Sequence, residues 1–404
     1  MDDVSYIDSI NNKINSYKDE MISSLSELVG MPAISPEIGG KGELERAGWI
    51  TEFLKGIGVT EIKRYDYTDT TGATRPNIVS KVGTNKRTIW ILCHMDTVAA
   101  GDLSLWKQDP FKAYVEDGKI YGRGTNDNGQ SLIATLYAAK AIIELKVNLQ
   151  YNFGMVFVAD EEIGSHYGAE RLAKEGIFGS DDMMLVPDWG VPTGDKIEIA
   201  EKSILWIKVT ASGKQVHAST PEDGVNAYKL AVKFLNDLDD QLHSKYNVKD
   251  ERFDYPVSSF EMTKHDKNVD SINIIPGKDV SYIDCRVLPN YKLDEVIADM
   301  KALAEKHSKK GKINIEVFNR EDAAKPTDAN SEIVQLLSKR INQIRKISVS
   351  TVGIGGGTVA KYFRDNGVPV AVWSTEDDVA HQPNEYSVID ALVSDSKVFA
   401  SLVL

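Results

Sequence analysis

Apolar residues recur along the chain with two different periods, and segments with the two periods alternate. Apolar positions three to four residues apart predict amphipathic helices, and short continuous apolar runs bounded by polar residues predict buried strands. Strands that alternate with helices in this way predict an α/β fold whose central strands run parallel. In the first half of the chain the predicted strands are 88–93 and 153–159, and the predicted helices are 6–29, 42–57, 129–145 and 167–175.

The pattern changes in the middle of the chain. There, strand, helix, strand, strand, helix and strand follow one another within about 115 residues, which is the order of a ferredoxin-like α+β unit. After residue 330 the α/β pattern resumes, so the middle unit is predicted to interrupt a discontinuous first domain. The predicted parts are 1–201 and 319–404 for the first domain and 202–318 for the inserted domain.

Charge and composition exclude several classes of protein. The formal net charge is −13, with 60 acidic and 47 basic residues, and a nucleic-acid partner would require a basic surface instead. No apolar run approaches the roughly 20 residues that a membrane span needs, so we expect no membrane partner. The first residues are acidic and polar and lack the features of a secretory signal. Together with two widely separated cysteines, this predicts a cytoplasmic protein without disulfides.

Two segments with metal-binding side chains come directly after predicted buried strands. His94 and Asp96 follow the first of these strands, and Glu161 and Glu162 follow the second. In an open α/β sheet, ligands bind at the carboxyl ends of the strands. Adjacent acids at such a place need a neutralising cation, and one of two neighbours can bind metal while the other acts as a base. Taken singly, each segment is also compatible with an ordinary polar loop.

Three further segments supply ligands of the same kind. Asp127 lies in a glycine-rich turn before a helix, where a helix N-cap is the alternative function; Asp188 ends a short apolar run, and His381 precedes the last helix. The glycine spacing matches neither of the nucleotide-binding motifs GxGxxG and GxxxxGK[ST]. Five strand-end or loop segments that supply His, Asp, Glu, Asp and His indicate a pair of divalent-cation sites. One shared aspartate can bridge two ions about 3.5–4 Å apart.

The ordered series HxD, GRGxxDxG, EExG, a lone acid and HxxNE resembles the dinuclear-zinc aminoacylase and carboxypeptidase family. That family includes acetylornithine deacetylase, succinyl-diaminopimelate desuccinylase, glutamate carboxypeptidase and several dipeptidases. The resemblance covers nearly the whole chain and implies a zinc-peptidase-like catalytic domain with a mixed sheet, interrupted by a lid and dimerisation domain. It implies that Asp127 bridges two ions, with His94 and Asp188 completing one site and Glu162 and His381 the other. Zinc suits these ligands, and cobalt or manganese would also bind them.

The resemblance also implies roles for residues that do not bind metal. Glu161 would be the general base acting on a bridging water, and Asp96 would orient His94. His217, in the inserted domain, would reach the active site of a second subunit and polarise the scissile carbonyl, so a homodimer joined through that domain is expected. A cis peptide bond is implied after Asp127.

Further matches concern the substrate. Asn273 and Arg286 match positions that hold the substrate carboxylate or line the cleft, although an arginine within a strand is equally compatible with a structural ion pair. Gly356, Gly357 and Thr358 match a backbone loop near the substrate, and glycines there are also compatible with a tight helix entry.

Two features favour the dipeptidases of the family over its deacylases. Asp188 stands where the desuccinylase and glutamate carboxypeptidase members usually carry glutamate. The segment GGGTVAK at 355–361 is more similar to the GGGTxA[KR] of dipeptidases than to the GGTDA[KR] of deacylases. We therefore expect a hydrolase that cleaves a small carboxylate-bearing dipeptide, with an N-acyl amino acid deacylase as the alternative.

Two other classes of function are disfavoured. A metal-binding scaffold without catalysis should have a broken ligand set or a replaced base, and every position is filled here. A hydrolase with a serine nucleophile should carry a G-x-S-x-G elbow, and neither Ser165 nor Ser219 lies in one. Cys93 lies within an apolar run, which favours a buried strand residue over a nucleophile.

Overall fold

The computed structural model describes residues 3–404, with side chains from Tyr6 onward. This part of the chain forms two compact units. Unit 1 contains the described residues up to Ile199 together with Thr327–Thr351 and Thr358–Leu404, and unit 2 contains Ala200–Pro326 and Val352–Gly357. The predicted insertion, 202–318, is shorter than unit 2 because its last strand continues to Glu321 and because a short glycine-rich segment returns to it.

In chain order the helices are α1 (Asp3–Asn15), α2 (Lys18–Val29), α3 (Leu44–Gly56), α4 (Ser131–Glu144), α5 (Ala169–Leu172), α6 (Ala227–Lys245), α7 (Leu293–His307), α8 (Glu332–Arg345), α9 (Ala360–Asp365) and α10 (Ile389–Ser401). The strands are β1 (Ile62–Thr68), β2 (Thr74–Val82), β3 (Thr88–His94), β4 (Tyr114–Glu116), β5 (Lys119–Tyr121), β6 (Asn152–Val158), β7 (Met183–Gly190), β8 (Lys196–Glu201), β9 (Ser203–Ser212), β10 (Val216–His217), β11 (Ser259–His265), β12 (Ile274–Ile275), β13 (Lys278–Val287), β14 (Lys312–Glu321), β15 (Ser350–Ile354), β16 (Val370–Ser374) and β17 (Tyr386–Val388).

The large sheet is mixed, and among the described residues it has eight strands in the order β1-β2-β6-β3-β7-β16-β8-β15. Its centre is parallel, since β3 pairs in parallel with β6 and β7, and β16 pairs in parallel with β7. Strands β1, β2 and β8 join antiparallel to their neighbours. The predicted α/β class with a mixed sheet is confirmed, and the parallel centre brings four carboxyl-terminal strand ends to one edge.

Strand β3 shows why the central strands appear in the sequence as unbroken apolar runs. Ile89 and Ile91 belong to the core that contains residues of α1, α2, α4 and α10, whereas Trp90 and Leu92 belong to the core on the other face, with residues of α5 and α9. Both faces of β3 are therefore buried, so that neither needs polar residues. Cys93 is free and buried in this strand, and burial raises the pKa of its thiol to about 12, as expected for a core residue rather than a nucleophile.

Unit 2 is built on an antiparallel sheet, with β11-β13-β9-β14 as the strand order in the described chain. Alternate residues of β9 (Leu205, Ile207, Val209) are buried against α6 and α7, and the residues between them are more exposed. Helices on one face and the order βαββαβ give the predicted ferredoxin-like arrangement. Strands β10 and β12 form a separate short ribbon.

The structure corrects several predicted elements. The helix predicted over 6–29 is two helices, because the backbone at Tyr17 leaves the helical range (φ −93°, ψ 0°) and the Ser16 hydroxyl donates to the Lys13 carbonyl. The apolar spacing continues across this break because Tyr17 itself is buried. The helix predicted over 167–175 is regular only at Ala169–Leu172. None of the helices in the described residues is long and apolar enough to cross a membrane.

Candidate metal centre

His94, the last residue of β3, lies at the carboxyl edge of the large sheet with two carboxylates beside it. Its Nε2 atom is 2.7 Å from Oδ1 of Asp127 and 3.3 Å from Oδ1 of Asp188, a residue of β7. The imidazole is almost fully buried, with 1% of its side chain exposed. These three side chains could together hold one metal ion, since their ligand atoms all lie within 4.8 Å of one another.

A second group of the same kind shares Asp127 with the first. Nε2 of His381 is 3.1 Å from Oδ2 of Asp127 and 2.9 Å from Oε2 of Glu162. Asp127 thus offers Oδ1 to one histidine and Oδ2 to the other, which is the arrangement of a bridging carboxylate. Within the residues that the structure describes, the five predicted ligands are brought together as two groups with one common member.

The turn before α4 directs Asp127 towards the histidines. Buried Glu385 accepts hydrogen bonds from the backbone N–H groups of Gly124, Asn126 and Asp127 at 2.9–3.1 Å, and from Nη1 of Arg123 at 2.7 Å. Helix α4 begins at Ser131, four residues after Asp127, with Gln130 at its N-cap position. The carboxylate of Asp127 therefore faces the two histidines, which decides against the N-cap alternative at this position.

The next residue supports the first group. The peptide bond between Asp127 and Asn128 is cis, and the Asn128 side-chain amide donates to Oδ1 of Asp188 at 2.7 Å and to the Pro187 carbonyl at 2.8 Å. Asn128 therefore orients the Asp188 carboxylate, much as outer partners orient ligands in metal sites.

Asp96 links the two strand ends that carry the site. Its two carboxylate oxygens accept the backbone N–H groups of Glu161 at 3.1 Å and Glu162 at 3.0 Å. Nδ1 of His94 is 3.1 Å from the Asp96 carbonyl oxygen and 3.5 Å from its Oδ1. Asp96 thus contacts His94 mainly through its backbone, and its carboxylate holds the Glu161–Glu162 segment.

The site has an excess of negative charge. Burial and the carboxylate of Asp127 raise the pKa of Glu162 to about 7, and burial and Asp188 raise the pKa of Glu161 well above its usual range. Hydrogen bonds to Asp127 and Glu162 raise the pKa of His381 to about 10. A raised pKa means that the group holds its proton more tightly, because the proton offsets the surrounding negative charge. The site therefore favours positive charge among its oxygen and nitrogen atoms. Divalent cations supply that charge, and carboxylate and imidazole donors suit zinc and similar metals.

Two acids of the site were not recognised as functional from the sequence. Glu385 ends the HxxNE motif, and its role as acceptor for the turn at Asp127 depends on a contact across more than 250 residues. Glu376 follows β16, and the pKa of its carboxyl is well above the usual range because of burial and the nearby carboxylates of Asp188 and Asp127. Glu376 stands in a run of polar residues, STEDD, that gave no signal of burial.

The remaining predicted residues lie in unit 2, apart from Thr358, whose hydroxyl accepts the Ala360 N–H in unit 1. His217 ends β10 and is exposed, and its Nδ1 accepts the Ser219 N–H at 3.1 Å. The Asn273 carbonyl accepts the Ala218 N–H at 2.9 Å. Within unit 2, a Cβ atom at Gly356 would meet nothing within 4 Å, and at Gly357 only a Glu321 oxygen at 3.9 Å.

Arg286 forms a structural ion pair, which was predicted as the alternative to binding the substrate carboxylate. Its Nε and Nη2 atoms donate to the two carboxylate oxygens of Asp284 at 2.7 and 3.1 Å, and its Nη1 donates to the Gly355 carbonyl at 3.1 Å. The bidentate pair holds the guanidinium in one orientation. One edge of the guanidinium therefore faces the glycine segment.

Comparison with known proteins gives consistent results. Residues 90–404 match the model of "Peptidase family M20/M25/M40". An uncharacterized metallohydrolase of Methanococcus maripaludis is 40% identical, covering 96% of this chain and all of that protein. A succinyl-diaminopimelate desuccinylase of Rickettsia bellii is 27% identical over 91% of this chain and 92% of its own length.

Among solved structures, the di-peptidase Dug1p of Saccharomyces cerevisiae has the same fold, with a TM-score of 0.74 at 18% identity and 98% of both chains covered. The family resemblance expected from the motifs is confirmed by the match over more than three quarters of the chain. The protein is a metallohydrolase acting on peptide or other amide bonds, and it belongs to the peptidase family M20/M25/M40.

Proposed function

We propose that this protein is a dinuclear, zinc-dependent hydrolase that cleaves the peptide bond of small dipeptides with free carboxylates. The observation that carries the proposal is the position of Asp127, whose two oxygens lie 2.7 and 3.1 Å from Nε2 of His94 and His381. Together with Asp188 and Glu162, these residues would hold the two ions. Bound there, the ions would lower the pKa of a water molecule and polarise the amide carbonyl.

Glu161 is the general base in this proposal. It belongs to neither group of ligands, although its neighbour Glu162 does, so the two adjacent acids have different tasks. The backbone of both is fixed by Asp96. The Glu161 carboxylate would accept a proton from the attacking water and transfer it to the departing nitrogen.

Glu376 supports a substrate with a free amino group. It follows β16, whose Ser374 pairs with Gly190 of β7, two residues beyond Asp188. Within the described chain, no basic side chain forms an ion pair with Glu376, and the residue is partly exposed. A substrate ammonium group near the first ion would pair with this carboxylate. A dipeptide has such a group on the carbon next to the scissile carbonyl, whereas an acetyl or succinyl group has none at that position.

Arg286 and Asn273 are proposed to bind the carboxylate end of the substrate, with Gly356, Gly357 and Thr358 beside it. The Arg286 side chain is 31% exposed, and its pairing with Asp284 leaves its position well defined. Within unit 2, a Cβ atom at Gly355 or Gly356 would meet nothing within 4 Å. A deacylase that removes an N-acyl group from an amino acid is the second candidate, favoured by the 27% identical desuccinylase.

A substrate panel tests the proposal. The metal-free protein is reconstituted with zinc, cobalt or manganese and assayed with dipeptides, the same dipeptides after N-acetylation, N-acetyl amino acids and N-succinyl-diaminopimelate. Because acetylation removes the ammonium charge, kcat/KM should fall about tenfold or more on acetylation, the effect of one charged hydrogen bond. Faster turnover of the N-acyl substrates would identify a deacylase, and activity that survives exhaustive chelation would refute metal dependence.

We also propose a homodimer joined through unit 2, in which His217 acts in the partner's site. Exposed apolar side chains lie along edge strand β11 and α6, at Met262, Tyr228 and Val232, and such a patch on a sheet edge is suited to self-association. The imidazole of His217 is exposed, with its Nδ1 bonded to Ser219, and this exposure supports contact with a second subunit.

Mixing two inactive variants tests this arrangement. His217→Ala and Glu161→Gln should each be inactive, whereas an equimolar mixture should recover roughly a quarter of the wild-type activity, since half of the dimers are mixed and each has one intact site. Subunit exchange is verified by mass spectrometry of the intact dimers. No recovery despite complete exchange, or a monomer with full activity in sedimentation experiments, would contradict action in trans.

A further inference from the structure

The first turn of α3 carries two buried charged side chains. Glu43, which immediately precedes the helix, has 0% of its surface exposed, and Arg46, one turn later, has 1%. Glu43 makes no side-chain cap hydrogen bond to its own helix. Both side chains instead bind the backbone of other segments, which include the segment directly after His94 and the segment directly before Glu161.

Arg46 binds the segment after β3. Its Nη1 donates to the carbonyl of Met95, the residue between His94 and Asp96, at 2.8 Å. Its other nitrogens donate to the carbonyls of Leu28 and Met31 at 3.0 and 2.8 Å. The guanidinium therefore fixes the Met95 peptide relative to α2 and α3.

Glu43 binds the segment after β6. Its Oε1 accepts the Asp160 N–H at 3.3 Å and Nη2 of Arg75 at 2.7 Å. The same Arg75 nitrogen lies 3.0 Å from Oδ1 of Asp160. Asp160 has a left-handed backbone (φ 72°) directly before Glu161, a conformation that is uncommon for a non-glycine residue. Glu43 thus holds the backbone, and Arg75 the side chain, of the residue directly before Glu161.

A stabilising role alone is a weak explanation for this network. Buried ion pairs are often no more stable than apolar residues of the same volume. Here Arg75 forms ion pairs with three buried acids, Glu43, Asp69 and Asp160. Acidic side chains therefore outnumber basic ones in the cluster. The hydrogen bonds of Arg46 and Glu43 reach the backbone of the segments that follow β3 and β6. Apolar side chains could not bind these backbone groups.

We propose that Glu43, Arg46 and Arg75 are positioning residues, which set the His94–Asp96 segment against the Glu161–Glu162 segment. Strands β3 and β6 are paired up to His94 and Val158, and Glu43 and Arg46, a single helical turn apart, hold the segments that continue beyond these paired ends. This inference rests on the proposed function, because it assigns the network to the orientation of Glu161 and of the ligands on either side of it.

The test compares matched buried pairs. Arg75→Met and Glu43→Gln alter the network, and Arg364→Met and Glu198→Gln alter a pair that is equally buried in unit 1, with Arg364 Nη1 3.1 Å from Glu198 Oε1. The control pair lies away from the metal centre. Arg364 also donates to the carbonyl of Val370, the first residue of β16, whereas the centre lies at the carboxyl ends of the strands. Melting temperatures of all four variants are measured to match their losses of stability, and the glutamine variants serve if the methionine variants do not fold.

The first readout is hydrogen exchange of the metal-free protein. Amides of the turn at Asp160–Ile163 should exchange faster in Glu43→Gln and Arg75→Met than in the control variants. The second readout is steady-state kinetics after metal reconstitution, where kcat should fall about 10–100-fold, as for lost outer-shell partners, with KM nearly unchanged. Equal exchange and equal kcat in network and control variants would overturn the proposal. Absence of hydrolysis by the wild type would refute the proposed function alone, since the exchange experiment needs no activity.

Discussion

Replacement of Glu161 by glutamine is expected to lower kcat by about 10²–10⁴-fold, the usual contribution of a general base, while the protein retains its metal ions. Glutamine has nearly the same shape but cannot accept the water proton. The two groups of ligand atoms that could hold metal do not include Glu161. Metal content after reconstitution and dialysis, measured together with kcat, checks both parts of this expectation.

Glu162→Gln is the matched control, because it alters the adjacent residue, whose Oε2 lies 2.9 Å from His381 Nε2. This variant should lose metal as well as activity, and added metal should restore part of the activity. High turnover in Glu161→Gln would contradict the assignment of the base. Loss of metal in Glu161→Gln would show that Glu161 is a ligand instead.

Replacement of Asp127 by asparagine is expected to abolish activity and to remove both ions. Asp127 is the one member common to the two groups of ligands among the described residues, and an amide offers a single weak oxygen donor where the carboxylate offers two. Asp188→Asn is the matched comparison, since Asp188 belongs to one group only. Metal analysis should find close to two ions in the wild type, close to one in Asp188→Asn and almost none in Asp127→Asn.

The outcome that would contradict this expectation is specific. If Asp127→Asn kept two ions, the carboxylate would not bridge them. If Asp188→Asn and Asp127→Asn lost the same amount of metal, the two sites would depend on each other, or a single ion would be shared. Circular dichroism of the metal-free variants shows whether the fold survives each change, so that loss of metal is separated from unfolding.

Burial decided which strands could be predicted from the sequence, whether it includes both faces of a strand, as in β3, or alternate residues, as in β9. Strands β3 and β6 are buried throughout, and their continuous apolar runs revealed them. Strand β1 has the sequence IKRYDYT and no fully buried residue, so it showed neither an apolar run nor a clear alternation. It forms by pairing with β2 at the edge of the sheet, and that pairing is a long-range property that a local pattern does not contain.

The metal ligands of the candidate site could be predicted from the sequence, whereas the residues that hold the surrounding backbone could not. The five ligand residues lie at strand ends or in loops and turns, where the type of side chain and the position in the fold point to the same chemistry. Glu43 and Arg75 gave no such signal, because each is a single charged residue within an ordinary amphipathic or polar segment. Their function depends on contacts at 2.7–3.3 Å between segments 32 to 117 residues apart, which only the folded chain brings together.

The two histidines of the centre differ greatly in exposure, with 1% of the His94 side chain exposed and 55% of that of His381. Solvent therefore reaches one half of the centre far more readily than the other. An ion on the His381 side would exchange with the surrounding solution sooner than the ion beside His94. When free metal is scarce, molecules with a single ion would accumulate, and the fraction of working enzyme would follow the metal supply of its surroundings.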